Sequence, residues 1–209
     1  MIALVLLLAA CNTAPQPDAP ESGAGVKNLV IGEDVEYGKE DYQKIVDGNN
    51  KLGMDLVANV PANDHGNFFV SPLSLYMALA MVYNGSDGVT KDEIVNVLEA
   101  KGISRDEMNQ ANASLISKLS SDSDEIELNI ANSIWVKDSY EFLEDYTESS
   151  QDYYNAKIEA IDITDPASAD LINDWVSDAT NGKIEEMTAK PLPGNLVALL
   201  LNAIYFNGN

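Results

Sequence analysis

The sequence predicts an α+β fold, and three observations carry that expectation. Apolar residues recur at helical spacing in several separated windows. Between those windows lie segments that alternate or run apolar as strands do. No segment repeats, and strands that are not adjacent in sequence among helices point away from a regular βαβ series. The 209 residues, 45% of them hydrophobic, are enough for one large domain or two small ones with a real core.

In chain order, Ile2 to Ala10 is an unbroken apolar run, too short to cross a bilayer as a helix but right for the core of an export signal. It ends in Leu8-Ala9-Ala10-Cys11, which resembles the lipobox of bacterial lipoprotein signals. There the cysteine thiol receives a diacylglycerol, and Cys11 would become the first mature residue. Acyl chains contribute about 0.8 kcal/mol per buried methylene, so two or three on one cysteine hold a protein at a membrane. No Lys or Arg precedes the run, a departure from that pattern, and the alternative is a buried thiol in an apolar N-terminal strand. Asn12 to Gly23, rich in Pro, Ala and small polar residues, reads as a flexible tether.

Tyr42 to Val60 has helical spacing, with Ile45, Leu52, Leu56 and Val57 as its buried stripe; Asp47-Gly48-Asn49-Asn50 weakens its middle and is the alternative start of the helix. Pro61 to Gly66 is turn-rich, and Phe68-Phe69-Val70 reads as a short buried strand. Ser71-Pro72 marks a helix start, the serine as N-cap and the proline at a position whose N–H is unpaired anyway. Leu75, Leu79 and Val82 form its apolar face, and Asn84-Gly85 tolerate a left-handed end. Thr90 and Glu93 have capping-box spacing for the next helix, with Ile94, Val97 and Leu98 inward. Asp106 to Leu119 is amphipathic through Met108, Leu115 and Ile116.

Glu125 to Val136 alternates as a strand, with Ile126, Leu128 and Ile130 on one side. A helix is expected over Phe142 to Tyr154, a strand over Lys157 to Ile163, and a helix over Ala167 to Ala179 stopped at Asn181-Gly182. Leu196 to Phe206 is almost wholly apolar, and periodicity alone leaves it between a buried strand and a buried helix.

Charge narrows the function. Lys+Arg 12 against Asp+Glu 34 gives a formal net charge of -22, which repels phosphate backbones, so nucleic acid is not an expected partner. The acids are spread along the chain as a solvated surface. Asp122 to Glu125 and Asp162 to Asp165 lack the ligand spacing of a calcium loop, and one cysteine excludes both a disulfide and a cysteine zinc site. No metal or cofactor is expected. Hydrolytic chemistry would have to use His65, in a turn, with Cys11, which the lipobox takes, so the chain is not read as an enzyme.

Asn67-Phe68-Phe69-Val70-Ser71-Pro72-Leu73-Ser74-Leu75, followed by Ala78-Leu79-Ala80-Met81, Gly85, Thr90, Glu93-Ile94 and Leu98, resembles the serpin pattern around its second and third helices. Ala131-Asn132-Ser133-Ile134-Trp135 resembles a serpin strand, and Tyr154-Asn155-Ala156, Ile172-Asn173-Asp174-Trp175-Val176 and Thr180-Asn181-Gly182-Lys183-Ile184 its crossing helix and exit. Leu201-Asn202-Ala203-Ile204-Tyr205-Phe206-Asn207-Gly208 completes the series. These blocks, in the family's order, make chance a poor explanation.

The resemblance implies a serpin-like α+β domain whose strands belong to a large mixed main sheet, with Leu196 to Phe206 as one of them. It implies the domain plan 1–10 lipoprotein signal peptide, 11–38 lipidated cysteine and tether, and 39–209 the N-terminal portion of a serpin domain. Such a protein inhibits a serine or cysteine protease as a suicide substrate. An exposed reactive loop is cut, the protease stays acylated to it, and the loop inserts into the main sheet, distorting the enzyme. Ser71, Ser74 and Asn202 would sit in the shutter region that governs whether the strands part. Their ordinary alternatives are a helix cap, a first-turn residue and a locally paired strand residue. The family pattern continues beyond Gly208, so the reactive loop is expected outside these residues and the outer edge of Leu196 to Phe206 is expected to be bare. The whole reads as exported and lipid-anchored outside the cytoplasm, monomeric when complete. A non-inhibitory binding lipoprotein and an inactive fragment are the alternatives.

Overall fold

Strands β1 (Ile2–Leu6), β2 (Ile126–Lys137), β3 (Ala156–Ile161) and β4 (Ala198–Gly208) form one mixed sheet in the order β1-β4-β2-β3. The structure is a computed structural model describing residues 2–6, 31–33, 35–61, 70–119 and 126–208. β4 is antiparallel to β2 from Ala198 opposite Val136 to Gly208 opposite Ile126. The β2–β3 and β1–β4 pairs are parallel.

Helices cover both faces. Helices α1 (Gln43–Asn59), α2 (Pro72–Gly85), α3 (Gly88–Val97), α4 (Arg105–Leu119) and α5 (Glu144–Tyr154) gather on one side, where Tyr76, Met81, Leu98, Met108 and Tyr154 pack with Ile134 and Leu200. Helix α6 (Pro166–Ala179) lies on the other, its Ile172 and Val176 against Trp135, Leu199 and Leu201. Successive strand residues point to opposite faces, so β4 sends Leu200 to one layer and Leu199 and Leu201 to the other. Burial on both faces explains its unbroken apolar composition and makes it a strand despite its Leu and Ala.

Helix α2 begins as the sequence indicates, and α6 begins in the same way, one residue before the expected Ala167. Ser71 Oγ accepts from the Ser74 N–H at 3.3 Å, and Asp165 Oδ1 from the Ala167 N–H at 2.9 Å, with Pro72 and Pro166 in the first turn. Helix α6 stops at Asn181 and Gly182, both left-handed, as expected.

Several local expectations need correction. The Thr90–Glu93 box does not form, because α3 already starts at Gly88 and both residues lie inside it. The box sits before α4 instead, where the Glu107 N–H donates to Ser104 Oγ at 3.2 Å and the Ser104 N–H to Glu107 Oε2 at 3.0 Å. Those bonds from Ser104, aided by Lys44, hold the Glu107 carboxyl below the usual carboxylate range. Asn84-Gly85 end α2 without a left-handed residue, and the positive φ falls on Gly88. Val57 and Val97 are 47% and 49% exposed rather than buried. On α2 the fully buried side chains are Tyr76, Met77, Ala78, Ala80 and Met81, while Leu75, Leu79 and Val82 are half-buried. Helix α5 starts at Glu144 rather than Phe142, and β3 starts one residue before Lys157 and stops at Ile161, short of Ile163.

The edge of β4 also differs from expectation. Over Ala198–Asn202 it is not bare, because Ile2–Leu6 pairs with it. Along Ala203–Gly208 no described strand covers that side, and Phe206 is 56% exposed. Cys11, the tether as far as Val30, His65 and Phe68-Phe69 lie outside the described residues.

Helix α1 runs unbroken through Asp47-Gly48-Asn49-Asn50, because Gly48 faces the end of α3. A Cβ there would lie 2.3 Å from the Leu98 carbonyl oxygen, a backbone atom that cannot rotate away. Alanine would add about 1 kcal/mol of helix propensity, but forcing the two backbones apart costs more. Gly48→Ala is therefore expected to lower stability by about 2 kcal/mol, read as an earlier denaturant midpoint. Unchanged or raised stability would show that α1 and α3 do not meet closely at Gly48.

Candidate functional site

The chemistry-bearing part of this fold is the seam between its two central strands. Asn132 of β2 and Asn202 of β4 stand directly opposite each other, 1% and 3% exposed, among apolar neighbours. Asn202 Nδ2 donates to Asn132 Oδ1 at 2.7 Å, and Asn132 Nδ2 donates to the Tyr154 carbonyl oxygen at 2.8 Å, where α5 ends. Asn202 thus has the buried partner that its place in an apolar strand demands. Its Oδ1 has no donor among the described residues.

The polar seam continues below the sheet. The Tyr154 hydroxyl donates to Asn109 Oδ1 at 2.9 Å, and Asn84 Nδ2 donates to the same oxygen at 2.7 Å. Asn112 Nδ2 donates to the Met108 carbonyl at 2.9 Å and more weakly to the Tyr154 hydroxyl at 3.5 Å. One connected set of side chains therefore ties β4 and β2 to α5, α4 and α2. Burial pushes the Tyr154 phenol well above its ordinary value, and does the same to Tyr76, whose hydroxyl donates to the Leu98 carbonyl at 3.3 Å.

Ser74 is buried and Ser71 half-buried at the head of α2. The described hydrogen bonds link them to each other through the cap, and none links either to Asn202. Ser71 fulfils its role as helix cap. The residues that reasoning from sequence passed over are Asn132 and Tyr154, which connect Asn202 to the helices. A signal was present, since Asn132 falls on the same side of its strand as Ile126, Leu128 and Ile130, where a polar side chain needs a partner.

A cleft of about 380 Å³ opens beside the start of β4, lined mainly by Val82, Ile134, Phe142, Tyr146, Ala198 and Leu200. Among the described residues no group of His, Cys, Asp or Glu could hold a metal ion, and no helix is long and apolar enough to cross a membrane.

Comparison with known proteins places this arrangement. The family model for serpins (serine protease inhibitors) matches residues 47–209. The chain belongs to the serpin family. It is 31% identical over 172 residues to an uncharacterized serpin-like protein of Methanosarcina acetivorans, a match covering 81% of this chain and 40% of that one. It is 34% identical over 164 residues to the leukocyte elastase inhibitor of Bos taurus, covering 77% and 43%. Among solved structures, the thermophilic serpin Tengpin in the latent state superposes with a TM-score of 0.71 at 29% identity, covering 85% of this chain and 46% of that one. Human kallistatin, 24% identical with a TM-score of 0.69, shares the fold. This serpin chain spans less than half the length of the curated relatives it matches.

Asn132 is the joint of the seam, so its loss strands two buried groups. Asn132→Ala leaves the Tyr154 carbonyl and Asn202 Nδ2 without partners and should cost about 3 kcal/mol, against about 1–2 kcal/mol for Asn202→Ala, which strands only Asn132 Oδ1. Denaturant titration of both variants checks the order, and equal costs would mean that Tyr154 does not depend on the pair.

The buried phenols set a second expectation. With folded-state pKa raised above the unfolded value of about 10, Tyr76 and Tyr154 favour the folded state fully below about pH 10. That stability is lost as pH rises beyond it, because the unfolded chain sheds these protons first. Melting between pH 8 and 11 should show the decline, shallower in Tyr154→Phe, and an identical slope would show a solvated phenol.

Proposed function

We propose that this chain forms the N-terminal part of an inhibitor of serine or cysteine endopeptidases that acts as a suicide substrate by reactive-loop insertion. The observation that carries this reading is β4: buried on both faces, bonded to β2 along one edge, and able to take an extended strand on the other. Addition of a strand to an open sheet edge is a recurring mode of recognition, of which serpin loop insertion is one instance. The Asn132–Asn202 pair supports it further, since polar partners at a seam can be exchanged as strands separate, whereas an apolar seam offers nothing to exchange. In this reading Ser71, Ser74 and Asn202 are shutter residues, and none of the residues 1–209 is assigned to the reactive loop.

The same proposal places the protein outside the cytoplasm, exported and held at a membrane by lipid on Cys11, where protease targets are met. The apolar run before Cys11 and the Pro- and Ala-rich stretch after it support that placement.

The sequence extended to the length of its relatives should, on incubation with a panel of serine and cysteine endopeptidases, give a complex with at least one that survives boiling in detergent. Cleavage by every protease without such a complex would overturn the inhibitory reading. Independently, Cys11→Ser should move the protein from the membrane fraction to the soluble fraction, and unchanged partition would remove the anchor.

A further inference from the structure

We propose that the cleft beside the start of β4 is a docking site for a basic amphipathic peptide segment of a partner protein, an apolar anchor flanked by Lys or Arg. Its floor is core: Ile134 and Leu200 are 1% and 4% exposed. One wall is the Phe142–Tyr146 ring pair, with centroids 4.9 Å apart. Gly85 admits the Tyr146 ring at the end of α2, for a Cβ there would lie 3.0 Å from Tyr146 Cε2. Asp87 and Thr90, from the start of α3, also line the cleft. Its volume of about 380 Å³ is at the small end for a ligand site. The apolar surface continues outward at Leu143, which is 82% exposed, so the shape suits a segment that inserts an anchor and lies across the mouth.

Two side chains at this cleft are not used by the helices they introduce. Leu143 occupies the N-cap of α5, where a polar side chain would take up a free helix N–H. Asp87 occupies the N-cap of α3, yet its carboxylate accepts no capping bond. Both helices thus forgo a stabilising bond at positions that line the same cleft, and Leu143 adds exposed apolar surface as well. Local rules broken together at one place mark a surface kept for something other than the fold.

The rim selects the sign of the partner. Asp87, Glu141, Glu144 and Asp145 are exposed, and none is in an ion pair among the described residues. Glu144 and Asp145 also suit the first turn of α5, but Glu141 lies outside that helix. Of the basic side chains nearby, Arg105 is engaged by the Ser86 carbonyl and the Tyr83 ring, and Lys91, one turn beyond Asp87, makes no ion pair with it. Four uncompensated carboxylates on a chain of net charge -22 draw a cationic partner and repel an anionic one. This inference does not rest on the inhibitory reading, and its test reads binding alone.

Fluorescence anisotropy on the sequence extended to the length of its relatives tests it, with two labelled amphipathic peptides as probes, one of Leu and Lys and the other of Leu and Glu. The Leu/Lys peptide should bind at least tenfold more tightly than the Leu/Glu peptide. Leu143→Ser leaves every charge in place and supplies the missing cap, so it should weaken the Leu/Lys peptide at least tenfold while the melting temperature stays level or rises. Thr90→Trp fills the mouth from an exposed helix position and should weaken it as much. Unaltered binding in either variant would overturn the proposal, leaving diffuse attraction to an acidic surface. Equal affinity for the two peptides would overturn it too, as would no binding at all, which would show that the rest of the domain covers the cleft. Should Thr90→Trp fail to fold, Leu143→Ser decides alone.

Discussion

Covering a sheet on both faces removes water as a partner for everything its central strands carry. This one condition accounts for most of the structure. It requires β4 to be apolar at every position from Ala198 to Leu201, and it requires the exception, Asn202, to find its partner inside the protein. The partner is Asn132, directly across the ladder, and Asn132 in turn reaches the last carbonyl of α5. The polar chain through Tyr154, Asn109 and Asn84 then fixes how α2, α4 and α5 sit beneath the sheet. Removing water from the strands thus specifies the helix layer as well as the sheet.

The same condition explains what could and could not be read from sequence. Helix starts were legible at Ser71-Pro72 because a cap and a proline act within one turn of chain and need no tertiary information. The Thr90–Glu93 spacing misled for the complementary reason: Ser104 and Glu107 fit the same rule, and only the packing of α3 and α4 decides between them. Gly48 looked like a weak point in its helix, yet it is where the chain must be narrow to let Leu98 approach. Periodicity failed on β4 because a strand covered on both faces has no polar side from which a period can be counted. Resemblance to the serpin pattern supplied that answer where local rules could not.

The candidate site was legible in part. Asn202 stood out as a polar residue in an apolar run, but its bond to Asn132 spans 70 residues, a pairing that no local pattern encodes. Ser71 and Ser74 were placed correctly at the head of α2, and their hydrogen bonding remains local to the cap. Family pattern marks positions, whereas connections between positions follow from which strands are neighbours.

The parallel pairing of Ile2–Leu6 with Ala198–Asn202 also has a consequence for the order of events during synthesis. Ile2 precedes its partner Ala198 by 196 residues, so the first strand leaves the ribosome long before its acceptor exists. At about 5–20 residues per second the nascent segment stays without a sheet partner for roughly ten seconds or more. During that interval a targeting factor that binds apolar segments meets no competition from the fold. Placing the acceptor so late gives any factor that binds apolar nascent segments the first claim on these residues, before the sheet can take them.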